Sequence, residues 1–244
     1  MFLDSLRPIE EIFGRLRTQL FQFTETYVIL PNYVELAIEK LRDYRDQFLR
    51  EAYQILNRTS EDRDIELASE IFITGNTYTK IWPVIIQHNE RKDQQLYDNI
   101  IKRQRKLLVQ SNEHDHTRNS NGVNELRKLD DYKTAYEKAK CIYSTLDLAI
   151  AAKTMMVVDP NNSSVSYRPS ANQEPMAADE TLTAFIDLIS HFVSTAKSDE
   201  MIHLFAHEHY VEKFRFLSLP QDVAYAFTTY QGALEYLNNS SLWY

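Results

Sequence analysis

The sequence predicts an all-α protein, and three observations carry that prediction. Its 244 residues include only 4 Gly and 7 Pro, too few of the residues that punctuate short strands and tight turns. Apolar residues recur at three- and four-residue spacing through most of the chain, the period of a helix buried along one face. There is neither an internal repeat nor a heptad run long enough for a coiled coil, so the helices should form a globular bundle. Apolar content of 43% suffices for one large domain or two small ones.

The first helix places Leu6, Ile9, Phe13, Leu16, Leu20 and Phe23 on one stripe, with Pro8 tolerated in its opening turn. Pro31 then breaks the chain. From Tyr33 to Leu56, Val34, Ile38, Leu41, Phe48, Ala52 and Ile55 form a second stripe, opposite a solvated face of Glu35, Glu39, Arg42, Asp46 and Arg50. Asn57 to Asp62 reads as a polar turn. A third helix runs from Ile65 to Ile86, with Ile65, Ala68, Ile71, Phe72, Ile81, Trp82 and Ile85 for burial; Gly75-Asn76 weakens it and Pro83 should kink or end it. A separate helix from Lys92 to Leu108 carries the basic residues Lys102, Arg103, Arg105 and Lys106.

Ser111 to Asn124 is a loop by composition, and helix resumes from Leu126 to about Met156, with a break allowed. Val158 to Pro175 is a second long loop, of a length more often functional than merely connecting. Asp179 then opens a helix whose buried stripe is Leu182, Phe185, Ile186, Ile189, Phe192 and Val193. The last helix buries Val223, Phe227, Tyr230, Leu234 and Leu237.

Several chemistries are excluded or disfavoured. A net charge of −8 argues against nucleic acid as a partner, and the short basic cluster has no aromatic platform beside it. From Ala177 onward nine acidic residues face three basic ones, which suits a positively charged partner or a solvated acidic face. Cys141 is the single cysteine, so no intramolecular disulfide forms and a cytoplasmic protein is expected. The opening MFLDSLRPIEEIFG is too acidic for a signal peptide, and no run approaches the roughly 20 apolar residues of a membrane span, so no direct membrane insertion is expected. Without a glycine-rich loop there is no usual nucleotide cradle, and no cofactor is implied. Cys141, mid-helix beside Ile142, has no cue for an activated nucleophile. His203 and His207 lie one turn apart with Glu200 ahead, but a metal-carboxylate bundle needs a second Glu-x-x-His on a facing helix. The other instance, Glu113 to His116, is in a loop, and Leu204 stands where a zinc protease needs glutamate. No metal is assigned.

Two features remain. Asp179 at the head of its helix reads by default as an N-cap, accepting backbone N–H bonds. On the last helix, Tyr225, Thr228, Thr229, Gly232 and Tyr236 cluster opposite the buried stripe without a charge among them. A face turned only to water usually carries Lys and Glu, so this one is covered either by another helix of the same bundle or by a partner protein.

In Ala178-Asp179-Glu180-x-Leu182, Glu208-x-Tyr210-Val211-x-x-Phe214, and Tyr225-Ala226-Phe227-Thr228-Thr229 with Ala233 and Tyr236-Leu237, the chain resembles the vacuolar protein sorting nine domain. Glu70-Ile71-Phe72, Tyr78, Ile81-Trp82 and the segment Asp93 to Ile101 resemble the first part of that domain. Tyr210 to Leu219 is nearest the Varp-like, ankyrin-repeat members. The resemblance implies an N-terminal helical bundle (1–62) supporting a layered helical exchange domain (63–244). It further implies guanine nucleotide exchange on endosomal Rab GTPases of the Rab-five group, without covalent chemistry. The family's aspartate finger falls on Asp179. The GTPase-docking residues fall on Tyr225 and Thr228, with Thr229, Gly232, Thr183 and Glu180 beside them. Recruitment to endosomes, and further domains or subunits of an endosomal sorting assembly, belong to the same expectation. Three positions depart from the family: Thr183 replaces a usual proline, Ala226 a frequent tyrosine, and Thr229 a frequent asparagine. The alternatives are a helical scaffold or effector that binds a GTPase without opening it, and a metal-dependent bundle enzyme built on His203 and His207.

Overall fold

The structure, a computed structural model, describes residues 2–57, 62–110, 120–154, 177–196 and 202–239. Among these residues all regular structure is helical: α1 (Phe2–Thr26), α2 (Val34–Leu56), α3 (Arg63–Gln110), α4 (Ser120–Arg127), α5 (Ala135–Thr154), α6 (Ala178–Thr195), α7 (Leu204–Phe214) and α8 (Gln221–Asn238). Short 3-10 turns cover Pro31–Tyr33 and Lys128–Asp130. The chain divides into two compact units. The first comprises Met1–Arg91, Tyr132–Lys138 and His203–Leu219; the second comprises Lys92–Asp131, Ala139–Ile202 and Pro220–Tyr244.

In the first unit α1 packs on α2, burying Ile12, Leu16, Leu20 and Phe23 with Val34, Ile38, Leu41, Phe48 and Ala52. Ile55, expected on that stripe, is instead 40% exposed, because α2 ends one residue later and Asn57 takes the left-handed conformation that closes the helix. Tyr78, Ile81 and Ile85 of α3 and Ala206, Tyr210 and Phe214 of α7 complete the core. Ile71, also expected inside, lies at its edge, 36% exposed.

The expected break between Ile86 and Lys92 does not occur: α3 is a single helix of 48 residues. Pro83 cannot donate to the carbonyl of Thr79, but both residues are exposed, so water can serve that carbonyl. The buried stripe continues through Glu70, Ile73, Thr74, Thr77, Tyr78, Ile81, Ile85, Asn89, Asp93, Leu96 and Ile100. Many of these are polar and bond their own helix: Thr74 donates to Glu70 C=O, Thr77 to Ile73 C=O and Asn89 to Ile85 C=O, each at 2.8 Å. Such a stripe has no apolar period.

One further expectation is corrected and another is sharpened. The segment Ser120–Asn124 is helix, not loop, because α4 buries Gly122, Val123 and Leu126. The break allowed in the helix from Leu126 falls between Arg127 and Ala135, where Thr134 and Glu137 form a capping box: Glu137 N–H donates to Thr134 Oγ1 and Thr134 N–H to Glu137 Oε2. The expected loop Val158 to Pro175 lies outside the described residues, as do 111–119 of the other loop.

In the second unit α6 packs against α4 and α8. Gly122 lets α4 approach: a Cβ there would lie 2.2 Å from Leu188 Cδ1 of α6. Cys141 Sγ donates to Glu125 C=O at 3.2 Å, tying α5 to α4, and the rings of Phe185 and Tyr230 meet between α6 and α8. The C-terminal end of α8 is held by α3, where Asn99 Nδ2 donates to Asn238 C=O at 2.7 Å.

Candidate functional site

In the second unit α6 and α8 each keep one side exposed among the described residues. Helix α6 starts at Ala178, so the cap position belongs to Ala177, and Asp179 is the second helical residue rather than the N-cap. Thr181 explains the start: its N–H and its Oγ1 both donate to Ala177 C=O, at 3.0 and 3.1 Å, closing the first turn there. No side chain caps the helix. Asp179 and Glu180 instead place negative charge against the positive end of the helix dipole. Ala177 to Glu180 are all exposed, and so is Thr183, one turn on, whose Oγ1 donates to Asp179 C=O at 2.7 Å.

Thr181, Ala184, Phe185, Ile186, Leu188, Ile189, Phe192 and Val193 turn inward. Leu182 is half-buried and marks where α6 meets the open side of α8, since a Cβ on Gly232 would stand 3.6 Å from Leu182 Cδ1. Helix α8 buries the whole expected stripe, together with Ala226 and Ala233. No helix covers its other side within the described residues: Tyr225 is 48% exposed, Thr228 and Gly232 are exposed, and Thr229 is half-buried. The two threonine hydroxyls donate within the helix, Thr228 to Ala224 C=O at 3.0 Å and Thr229 to Tyr225 C=O at 2.9 Å. Their methyl groups and remaining lone pairs form the surface.

Charge borders this neutral patch without entering it. Tyr236 is half-buried, with the Arg103 guanidinium 5.9 Å from its ring centre, so that end of the expected face is partly roofed by α3. This also gives Arg103 of the basic cluster a structural role. Asp222 and Glu235 are exposed on α8. Asp147 of α5 accepts a hydrogen bond from Tyr143, and its carboxyl is raised above the ordinary range by partial burial and by the neighbouring Asp222 charge. Lys153 Nζ approaches Glu180 C=O at 3.5 Å beside the start of α6.

The rival constellations turn inward. In the first unit His207 is 2% exposed, its ring stacked on Trp82 and its Nδ1 3.1 Å from Lys138 Nζ. That contact takes up the ring nitrogen a metal would need. His203 is the N-cap residue of α7 and its C=O accepts the His207 N–H at 2.9 Å, so the pair lies one turn apart as expected, while Glu200 lies outside the described residues. Among the described residues no group of three or more His, Cys, Asp or Glu could hold a metal. Cys141 is buried.

Two residues, Lys138 and Gly122, are not singled out by the sequence, and Glu70, part of the resemblance, has no role there. Lys138 is fully buried, its Nζ 4.8 and 5.1 Å from the ring centres of Trp82 and Tyr78. Glu70 is 2% exposed, and its Oε2 accepts the N–H groups of Phe216 at 2.8 Å and Leu217 at 2.9 Å. Gly122 was hidden in a polar stretch. The Val123–Leu126 spacing and the Thr134-x-x-Glu137 box were the available signals.

The Vacuolar sorting protein 9 (VPS9) domain family matches residues 121–242, half of the chain, from the start of α4 through the end of α8. The chain belongs to the VPS9 domain family. VPS9 domains are guanine nucleotide exchange domains that bind Rab GTPases, and they loosen GDP without covalent chemistry. No curated protein and no solved structure matches the chain. The α6–α8 face lies wholly within the VPS9 match. Among the described residues no helix is long and apolar enough to cross a membrane.

Proposed function

We propose that this VPS9 chain releases GDP from endosomal Rab GTPases of the Rab-five group, using Asp179 as an aspartate finger and the exposed side of α8 as the docking surface. One observation carries the reading: in a single compact unit an exposed carboxylate at the head of α6 stands on the same helix pair as an uncovered, uncharged tyrosine–threonine patch on α8. A carboxylate inserted into the GTPase site competes with the β-phosphate for the P-loop lysine and disfavours Mg²⁺. At about 4 Å and an effective dielectric near 20, that charge pair is worth about 4 kcal/mol, so its loss slows exchange by on the order of 10²–10³. Tyr225 and Thr228 dock the switch regions, with Thr229, Gly232, Thr183 and Glu180 around them. Acceleration comes from binding the nucleotide-free GTPase more tightly than the GDP form.

In this reading residues 63–244 form the exchange domain and 1–62 support it. The nearest family members are the Varp-like ones. Recruitment to endosomes comes from further domains or subunits of a sorting assembly. Of the three departures, Ala226 is 0% exposed and belongs to the core rather than to the docking surface. Thr183 and Thr229 favour the second reading, a scaffold that binds without opening: the Thr229 hydroxyl donates to its own helix and offers less than an asparagine amide. Release of a fluorescent GDP analogue, measured across a Rab panel with Asp179→Ala and Glu180→Ala, separates the two. The exchange reading expects acceleration with Rab-five-group members that Asp179→Ala abolishes and Glu180→Ala leaves largely intact. Stable binding without accelerated release establishes the scaffold, and acceleration that survives Asp179→Ala removes the finger.

A further inference from the structure

The first unit carries an apolar surface that its own fold leaves open. Among the described residues eight large hydrophobic side chains are exposed, and seven of them lie in that unit. Val28, Leu30, Tyr33 and Leu36, at 77%, 54%, 59% and 53% exposure, follow one another on the bend between α1 and α2. The bend is pinned from behind. Tyr27 stacks on Phe23 with ring centres 4.8 Å apart, Tyr27 and Ile29 pack on the core, Val34 is buried, and Tyr33 N–H donates to Leu30 C=O at 2.9 Å. In the extended stretch 27–30 the inward residues alternate with Val28 and Leu30, so those two are held outward. Leu36 lies opposite Val34, Ala37 and Ile38 on α2. Four large apolar side chains exposed within nine residues together present on the order of a few hundred Å², the size at which an exposed apolar patch marks an interaction site.

Charge selects the occupant. From Thr18 to Glu39 there is no Lys or Arg, and Glu25, Glu35 and Glu39 are all exposed; Lys40, the base on the Leu36 side of α2, turns its ammonium along the helix to the Tyr44 ring, 5.0 Å from its centre. An anionic membrane is repelled by such a border, and a second copy of the chain would bring the same three carboxylates against themselves. We propose that this bend docks a segment of another protein that presents apolar side chains flanked by lysine or arginine. The apolar side chains supply the affinity; the glutamates select for positive charge and speed encounter.

A phage-displayed random peptide library, selected on the full chain, tests this. Recovered peptides should combine Leu, Ile or Phe with Lys or Arg. They should bind about tenfold or more weakly to a Val28→Ser, Leu36→Ser double variant, and lose affinity with added salt and with Glu35→Gln, Glu39→Gln. Thermal melting of the variants should match the parent, because the altered side chains are exposed, and stimulated GDP release should not change. Recovery of no peptide, of acidic peptides, or of peptides indifferent to the double variant overturns the proposal. So does variant-sensitive sedimentation with phosphatidylcholine–phosphatidylserine vesicles, which would make the bend a lipid contact, or variant-sensitive dimerisation, which would make it a self-interface.

Discussion

Removing the Glu70 carboxylate is expected to be among the most damaging single truncations in the first unit. Its Oε2 serves the N–H groups of Phe216 and Leu217, the chain that leaves α7, from a position 2% exposed. Glu70→Ala strands two amides, at about 1–3 kcal/mol each. The gain from no longer burying a carboxylate offsets part of this, which leaves a loss of about 2–4 kcal/mol. Glu70→Gln keeps an oxygen that can accept the same amides, so it should cost under about 1 kcal/mol. The pH dependence gives a second handle. Burial pushes the Glu70 carboxyl above its ordinary range, against the opposing pull of the two amides and of Arg45 and Arg215. An acid raised on folding holds its proton longer in the folded chain than in the unfolded one. Stability therefore falls as pH rises from about 4.5 through the raised value, a slope that Glu70→Gln abolishes. Urea unfolding followed by circular dichroism between about pH 4 and 7.5 measures both effects, the slope being read as the parent-minus-Gln difference. If Glu70→Ala lies within about 0.5 kcal/mol of the parent, or Glu70→Gln is as damaging as Glu70→Ala, the carboxylate does not hold that chain.

Other expectations follow from the same geometry. Gly122→Ala places a methyl 2.2 Å from Leu188 Cδ1, whose side chain is fully buried; overpacking of about 1–3 kcal/mol should outweigh the helix-propensity gain of about 1 kcal/mol and lower the thermal midpoint. Gly14→Ala meets nothing within 4 Å on exposed α1 and should raise the same midpoint by the propensity term alone. Asp179→Ala removes no cap bond, so it should cost under about 1 kcal/mol of stability while exchange is lost, a contrast read by pairing denaturant titration with nucleotide release. Tyr225→Ala should likewise leave stability nearly intact and act mainly through weaker GTPase binding, seen as a raised half-saturating chain concentration in the release assay. Asn99→Ala removes the shorter of two bonds to Asn238 C=O, leaving Gln95 Nε2 at 3.3 Å, and should cost about 0.5–1 kcal/mol, with faster amide exchange in the last turn of α8.

Amphipathic helices were readable from residue spacing: α2 matches to within a residue, and the buried stripes of α6 and α8 are nearly those the period predicts. Spacing fails where burial is not apolar. The inward face of α3 runs through Glu70, Thr74, Thr77, Asn89 and Asp93, so one helix looked like two. Helix α4 is too short for a period to emerge, and its middle glycine, a breaker in isolation, is required by contact with α6. At Asp179, residue type suggested a cap, but the chain closes its first turn on Ala177 through Thr181.

The order of residues by itself determined an all-α chain, the inward stripe of its last helix, and the chemistry of the opposite side. It also placed an acid in the first turn of α6 and excluded a phosphate loop. Whether a neighbouring helix hides Tyr225, Thr228 and Gly232 is a question no helical period can answer, because a face covered by its own fold and a face kept for a partner have the same composition. Only the tertiary structure shows that side exposed among the described residues, with Asp179 exposed on the helix packed beside it, since exposure depends on which distant segments meet.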